Sequence, residues 1–500
     1  MQVPKRIRLH GISGLPLFDN IQRLWPLLIL GAFGLVLRLI KLGISFWYDE
    51  GFTGHLTQQS LIELLHFLTQ EDIHPPLYFL MLRSWVKLFP TDLGIRLFSV
   101  LTGIAAIFVL FSLCRKLFNC RVGWLASAFL VISPFHLRYS QEAKQYSLYV
   151  LLTIIALWIL ITTLESRKYW NVWCLGYSLT LTLILYTHGC GALIVMGLAV
   201  FHICLIWPMD RLRFFQWIGL YTLALLLFLP WFPVMLHQAE MATSGVYKYS
   251  DWLPPISLRY LLFALESFIY NPPYEGVGLT VNALWMLPHL VLLGSAMLFS
   301  NRSLRRKVMA LVAFAAVPVA AITVYGYLKY NIFIARTLAP VVIPLLVLAA
   351  LPIDSFQKVW QRSVIRLITA LALVFSFVSS LSYLQAREGT AWRWREAVAE
   401  IKQSIEADDG ILVLPEKAIY VFNWYFQDGN GTWTVRSLTD VEDLDSHALE
   451  FLKGHRRLWI VRDQHLKTNQ TLKVVKWFND KYTIQRNTRF QRVDVVMVML

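Results

Sequence analysis

Eleven mostly apolar stretches punctuate the chain before residue 385: 24–43, 95–113, 121–137, 146–164, 172–187, 190–207, 216–236, 281–299, 308–328, 337–352 and 365–384. A helix crossing a bilayer needs about 20 such residues, because hydrocarbon leaves no backbone polar group a partner outside the segment. Repeated along the chain, that pattern predicts a polytopic α-helical membrane protein with about eleven transmembrane helices. Composition agrees, at 57% hydrophobic and only 15% charged residues, where soluble domains carry about 25% charged.

The formal net charge is +15. A basic balance can signal nucleic acid, but here the cations sit in short loops between apolar runs. The expected partner is therefore the lipid bilayer and not nucleic acid. One set of alternate loops holds Lys5, Arg6, Arg8 and Arg23; Arg115, Lys116 and Arg121; Arg167 and Lys168; Arg211 and Arg213; Arg302, Arg305, Arg306 and Lys307; and Lys358, Arg362 and Arg366. The other set, longer in total, holds only Arg83, Lys87, Arg138, Lys144, Lys248, Arg259, Lys329 and Arg336. The first set reads as cytoplasmic. The N-terminus is then inside, and eleven spans put the C-terminal region outside. The first apolar run ends in charges and lacks a small-residue cleavage site, so it reads as an uncleaved span and not a signal peptide.

The division expected is a transmembrane domain over 1–387 and an extracytoplasmic α/β domain over 388–500. In the latter, 392–405 and 418–426 read as helices, while 410–415, 457–463 and 492–500 read as strands. Its aromatics read chiefly as core. The five cysteines all precede residue 205, so no disulfide staples that region. Two outer loops are long, 44–94 and 237–280. Within the first, Leu61, Leu64, Leu65 and Leu68 recur at helical spacing on an amphipathic, surface-lying segment. Residues 77–89, interrupted by Arg83 and Lys87, read as a second interfacial helix.

Polar residues that are costly near a bilayer gather on the outer side. Asp49 and Glu50 open the first outer loop in "YDEG". His74 and Tyr78 follow in "DIHPPLYF". "SPFHLRYSQEAKQYSLY" brings Arg138, Gln141, Glu142, Lys144 and Tyr146. "THG" contains His188, and "ARTLAP" contains Arg336. Carboxylates and cations from distant parts of the chain thus share one rim.

In order and spacing, these motifs resemble the GT-C class of membrane glycosyltransferases. The nearest group is the protein O-mannosyltransferase and lipid A aminoarabinose-transferase superfamily, in its bacterial phospholipid carrier-dependent branch. The marks are Asp49-Glu50 after the first span, then His74-Pro75-Pro76-Leu77-Tyr78. "RYSQEAKQY" (138–146) is similar to the family's Arg-x-x-x-x-Glu-Ala-Arg-x-Tyr, with Lys144 in place of the usual Arg. "ARTLAP" (335–340) resembles its Arg-x-x-x-Pro, with Thr337 where an aromatic is common, and "WRWREAVAEI" (392–401) resembles the start of its outer domain.

The resemblance implies transfer of a sugar from a polyprenyl-phosphate donor to a lipid, glycan or protein acceptor, at the outer face of a bacterial plasma membrane. Such a donor already carries a good leaving group. It needs positive charge on its phosphate, for which Arg138, Lys144 and Arg336 are the candidates, and a carboxylate base for the acceptor hydroxyl. Asp49 is the expected base, with Glu50 orienting it or holding a metal. His74, Tyr78, Gln141, Glu142 and Tyr146 are expected to shape the site. Asp49, Glu50, His74 and Glu142 could together hold a divalent cation, though their spacing does not define one. The alternatives are a transporter or flippase, or a polymerase or ligase, of lipid-linked glycans. A transporter usually binds near the midplane in broken helices, whereas the acids here lie at one rim.

The charge asymmetry makes a direct prediction. A reporter active only outside the cytoplasm should work when fused after Leu500 or within 240–275, and should be silent when fused at 303–307. An active C-terminal fusion of a cytoplasm-specific reporter would sink the orientation.

Overall fold

The structure, a computed structural model, describes residues 21–165, 170–209, 211–244, 253–270, 279–427, 433–437, 452, 454–464 and 469–500. Each predicted span carries a helix. After α1 (Ile21–Leu39), three short helices fill the first outer loop: α2 (Tyr48–Gln58), α3 (Leu61–Gln70) and α4 (Leu77–Val86). Then follow α5 (Asp92–Leu117), α6 (Cys120–Val131), α7 (Pro134–Ser140), α8 (Tyr146–Glu165), α9 (Trp170–Leu185), α10 (Gly191–Ile206), α11 (Arg211–Phe228), α12 (Phe232–Ser244) and α13 (Leu258–Ile269). The membrane part ends with α14 (Leu279–Leu298), α15 (Arg302–Leu328), α16 (Val342–Ala350) and α17 (Val359–Gly389).

Among the described residues, six helices are long and apolar enough to cross a membrane, or seven if the α6–α7 pair, bent by 61°, is one span. The shorter apolar helices at Trp25–Leu39, Asn171–Leu185, Gly191–Ile206 and Leu284–Leu298 lie on other predicted stretches. The chain is a multi-pass membrane protein. Length and composition alone give six or seven crossings, not eleven.

The first outer loop is more ordered than its sequence suggests. Helix α3 starts on a capping box, with the Ser60 hydroxyl accepting from the Glu63 N–H at 3.2 Å and the Glu63 carboxylate accepting from the Ser60 N–H at 2.9 Å. In α4, Tyr78, Phe79, Leu82 and Val86 are buried, so one face packs on protein. Helix α2 forms although Gly51 and Gly54 both disfavour helix.

Those glycines have a packing purpose. Beyond α17, helices α18 (Trp394–Ser404), α19 (Ile419–Phe426) and α20 (Asn469–Lys481) accompany a five-stranded sheet. Its strands are β1 (Asp409–Leu414), β2 (Val435–Ser437), β3 (Arg457–Asp463), β4 (Thr483–Phe490) and β5 (Val493–Met499), in the order β2-β1-β3-β5-β4. Strand β1 is parallel to β2 and β3, and β5 is antiparallel to β3 and β4. Alternate residues divide between two faces: Leu412, Leu414, Leu458 and Ile460 pack with Val474 and Phe478 of α20, whereas Ile411, Val413, Trp459 and Val461 join the main core with Trp394 and Val398. Helix α19 then lies directly on α2. A Cβ at Gly51 would stand 2.3 Å from Val421 Cβ, and one at Gly54 would stand 2.9 Å from the Trp424 ring.

Replacing glycine by alanine inside a helix ordinarily gains about 0.5–1 kcal/mol. Here the sign should reverse. Gly51→Ala should lose on the order of 1–3 kcal/mol through overpacking, read as a lower unfolding temperature in detergent and faster proteolytic release of the C-terminal domain.

Candidate active site

Helix α2 presents its two acids to different surroundings. Glu50 is buried and accepts Arg96 Nε at 2.7 Å and Arg96 Nη2 at 2.5 Å, a bidentate pair from α5. The Ala143 N–H also donates to it at 2.9 Å. Arg96 spends its remaining hydrogens on the carbonyls of Leu42 (2.7 Å), Ile44 and Ser45 (3.3 Å), and its guanidinium lies 4.8 Å from the Phe46 ring centroid. One residue earlier, about 100° around the helix, Asp49 is half-buried. The Asp49 backbone carbonyl accepts the Thr53 hydroxyl at 2.8 Å, but no hydrogen bond or salt bridge reaches its carboxylate among the described residues. It interacts electrostatically with Arg336, Tyr146 and Lys417.

The facing cations come from the α7–α8 bend and the start of the segment containing α16. Lys144 is 2% exposed. Its ammonium sits 5.6 Å from the Phe52 ring centroid of α2, with no hydrogen bond or salt bridge among the described residues. Arg336, half-buried, has no hydrogen-bond partner there either; it interacts electrostatically with Tyr146, Asp49, Tyr139 and Glu142. Arg138 differs, because its Nε donates to Glu142 Oε1 at 3.1 Å. Tyr146 packs against the rings of Tyr139 (4.9 Å) and His188 (6.0 Å).

Two histidines interact electrostatically with each other near these groups. His74 Nδ1 bonds the buried Asp72 carboxylate at 3.0 and 3.2 Å, and the His74 carbonyl accepts from Gln238 Nε2 at 3.1 Å. Burial pushes the Asp72 carboxyl upward, but His74 and Lys144 outweigh it and hold the group below its ordinary range. His188 stacks on Tyr149 at 5.2 Å, and its Nδ1 accepts the Cys190 N–H at 3.0 Å. Burial, then the charges of His74, Arg336 and Lys144, lower it to about 3, so it is neutral at physiological pH.

Two expected site-shaping residues are engaged by hydrogen bonds inside the fold. Tyr78 is fully buried and its hydroxyl meets Ser99 Oγ at 3.1 Å. Gln141 Nε2 donates to the carbonyls of Arg38 and Ile40, both at 2.9 Å, and its Oε1 accepts from Arg387 Nη1 at 2.5 Å. Gln141 thus ties the ends of α1 and α17 to the α7–α8 bend. The metal candidates also disperse: Glu50 goes to Arg96, His74 to Asp72 and Glu142 to Arg138. Among the described residues no three His, Cys, Asp or Glu side chains converge. This donor set does not fit an ion.

Sequence reasoning missed Arg96, Asp72 and Lys417. Arg96 stood inside an apolar run, where a cation signals a partner. Lys417, in the turn after β1, comes from the C-terminal domain and interacts with Asp49 and Asp72; no local pattern marks it.

Residues 73–237 match the family model described as dolichyl-phosphate-mannose-protein mannosyltransferase. The fold is similar to ArnT from Cupriavidus metallidurans bound to undecaprenyl phosphate, with TM-score 0.65 and 13% identity over 95% of this chain and 98% of that one. It is also similar to the oligosaccharyltransferase AglB from Archaeoglobus fulgidus in complex with an inhibitory peptide and a dolichol-phosphate (TM-score 0.57, 12% identity, 96% and 74% of the two chains). A third likeness is to the arabinofuranosyltransferase AftD from Mycobacteria (TM-score 0.52, 14% identity, 95% and 40%). No curated protein matches the chain in sequence. The fold is that of GT-C glycosyltransferases, and the resemblance read from the motifs is borne out.

The Glu50–Arg96 pair should carry stability. Glu50→Gln or Arg96→Met alone leaves a buried charge without its counter-ion and should cost about 3–5 kcal/mol, while the double replacement should recover much of it. A thermal-unfolding double-mutant cycle in detergent measures this. Additive losses would show that the pair is not coupled.

Proposed function

We propose that the protein is an integral-membrane inverting glycosyltransferase. It moves a hexosyl or pentosyl unit from a polyprenyl-phosphate donor to a hydroxyl of a lipid, glycan or protein, at the extracytoplasmic face of a bacterial plasma membrane. One observation carries the reading: the Asp49 carboxylate, on a helix pinned by its neighbour, shares a rim with Lys144 and Arg336, and among the described residues none of these three charged groups has a hydrogen bond or salt bridge. The fold neighbours support the donor class, since ArnT is described with undecaprenyl phosphate and AglB with a dolichol-phosphate.

The acceptor hydroxyl oxygen attacks the anomeric carbon as the carbon–oxygen bond to the donor phosphate breaks. The hydroxyl proton passes to Asp49, and the electron pair leaves with the polyprenyl phosphate. Lys144 and Arg336 neutralise the charge that grows on the departing phosphate, with Arg138 behind them on Glu142. His74, held by Asp72, borders this site. Glu50 is assigned a positioning role and not a catalytic one, because its oxygens are already taken by Arg96 and the Ala143 N–H.

Asp49→Asn should fold, insert and bind donor yet transfer roughly 100-fold slower or worse, the scale of a positioned base. Lys144→Gln should lose at least tenfold in donor use, or about 1.4 kcal/mol. Both are measured by transfer of labelled sugar from polyprenyl phosphate in detergent or liposomes, with a chelator arm to test for metal. Near-normal turnover of Asp49→Asn at equal protein level would remove it as the base.

A further inference from the structure

The segment between α7 and α8 contains a side chain that the proposed reaction does not use. Gln145 is fully buried, at 0% exposure. Neither its Nε2 nor its Oε1 has a hydrogen-bond partner among the described residues. Its backbone carbonyl is engaged, accepting the Tyr149 N–H at 2.9 Å at the start of α8. Glu142 Oε2 is buried and likewise without a hydrogen-bond partner among the described residues, so three such atoms fall within four residues. Lys144 and Tyr146, both at the candidate site, flank Gln145 directly.

Buried amides are almost always paired. One left unpaired on both sides carries a desolvation penalty that an apolar residue of similar volume would avoid. A polar guest held in common with the neighbouring residues explains why an amide stands there. The type of guest follows from matching donors to acceptors. A phosphate offers only acceptors, and cations already serve it. An amide presents two N–H donors and one carbonyl acceptor, and the complementary neutral group is a hydroxyl, which both donates and accepts.

We infer that Gln145 is a specificity-determining residue that reads a hydroxyl of the transferred sugar, while Lys144 beside it holds the phosphate. This rests on the donor-site reading above. Sites built to hydrogen-bond a substrate hydroxyl discriminate strongly, because the wrong ligand leaves their polar groups unpaired.

The test uses the purified full-length protein and measures affinity for undecaprenyl phosphate alone and for a panel of undecaprenyl-phosphate hexoses and pentoses. In the wild type, at least one sugar-bearing lipid should bind at least tenfold tighter than the bare phosphate lipid. Gln145→Met should fold, bind undecaprenyl phosphate like the wild type and lose that tenfold preference. If Gln145→Met keeps the preference, the amide holds only a structural water and the inference is overturned. It is overturned equally if Gln145→Met fails to fold, since the amide is then paired within the protein, or if the wild type shows no preference for any sugar. Failure of the wild type to bind undecaprenyl phosphate at all would instead remove the donor-site reading, and this inference with it.

Discussion

The bidentate contact between Arg96 and Glu50 organises everything around it. Water cannot screen the pair, so the attraction is strong only while the geometry is good and every remaining hydrogen has an acceptor. Both conditions hold. Arg96 gathers the carbonyls of Leu42, Ile44 and Ser45, which lead from α1 into α2. Glu50 accepts the Ala143 N–H from the α7–α8 bend. One pair of charges therefore fixes α5, the entry to α2 and the loop bearing Lys144 in a single frame. Asp49 is the neighbour of a residue that cannot move.

A second charged contact sets the position of the C-terminal domain. Asp92, in the first turn of α5, accepts the Trp424 indole N–H at 2.8 Å, the Tyr425 hydroxyl at 2.5 Å and Arg395 Nη2 at 2.5 Å. The Tyr425 hydroxyl in turn accepts the Phe46 N–H at 2.7 Å. Asp92 and Arg96 lie one helical turn apart on α5, so the same turn orders both the membrane-side frame and the domain above it. Lys417 interacts electrostatically with Asp49 and Asp72 because that domain is held in this register.

Much of this was legible in the sequence, and the limits have physical causes. Apolar runs identified the membrane helices, because hydrocarbon imposes a length and a composition. The count of crossings was less legible: a helix that bends, as α6 into α7, or that runs short against neighbouring protein leaves no clear mark. Asp49, Lys144 and Arg336 stood out as ions that are costly where they are. Tyr78 and Gln141 shared the same motifs yet spend their polar groups on Ser99, Arg38, Ile40 and Arg387, partners that no local pattern marks. Glu50 was read with its neighbour because its counter-ion lies 46 residues away, inside a run read as mostly apolar. Helix α2 was hidden by two glycines whose reason, the closeness of α19, exists only in three dimensions.

That closeness governs traffic. Val421 and Trp424 rest against glycine backbone, and Asp92 clamps the same helix from the side, so lifting the C-terminal domain would strip α2 of its cover and unseat the loop leading into it. The seat of the C-terminal domain on α2 is thus joinery and not a hinged door. A fixed seat of that kind leaves the lateral approach, along the plane of the bilayer, as the route that needs no movement of the domain. A lipid carrier already travels in that plane. The domain's fixed seat favours substrates that slide in sideways over any that must descend from the water above.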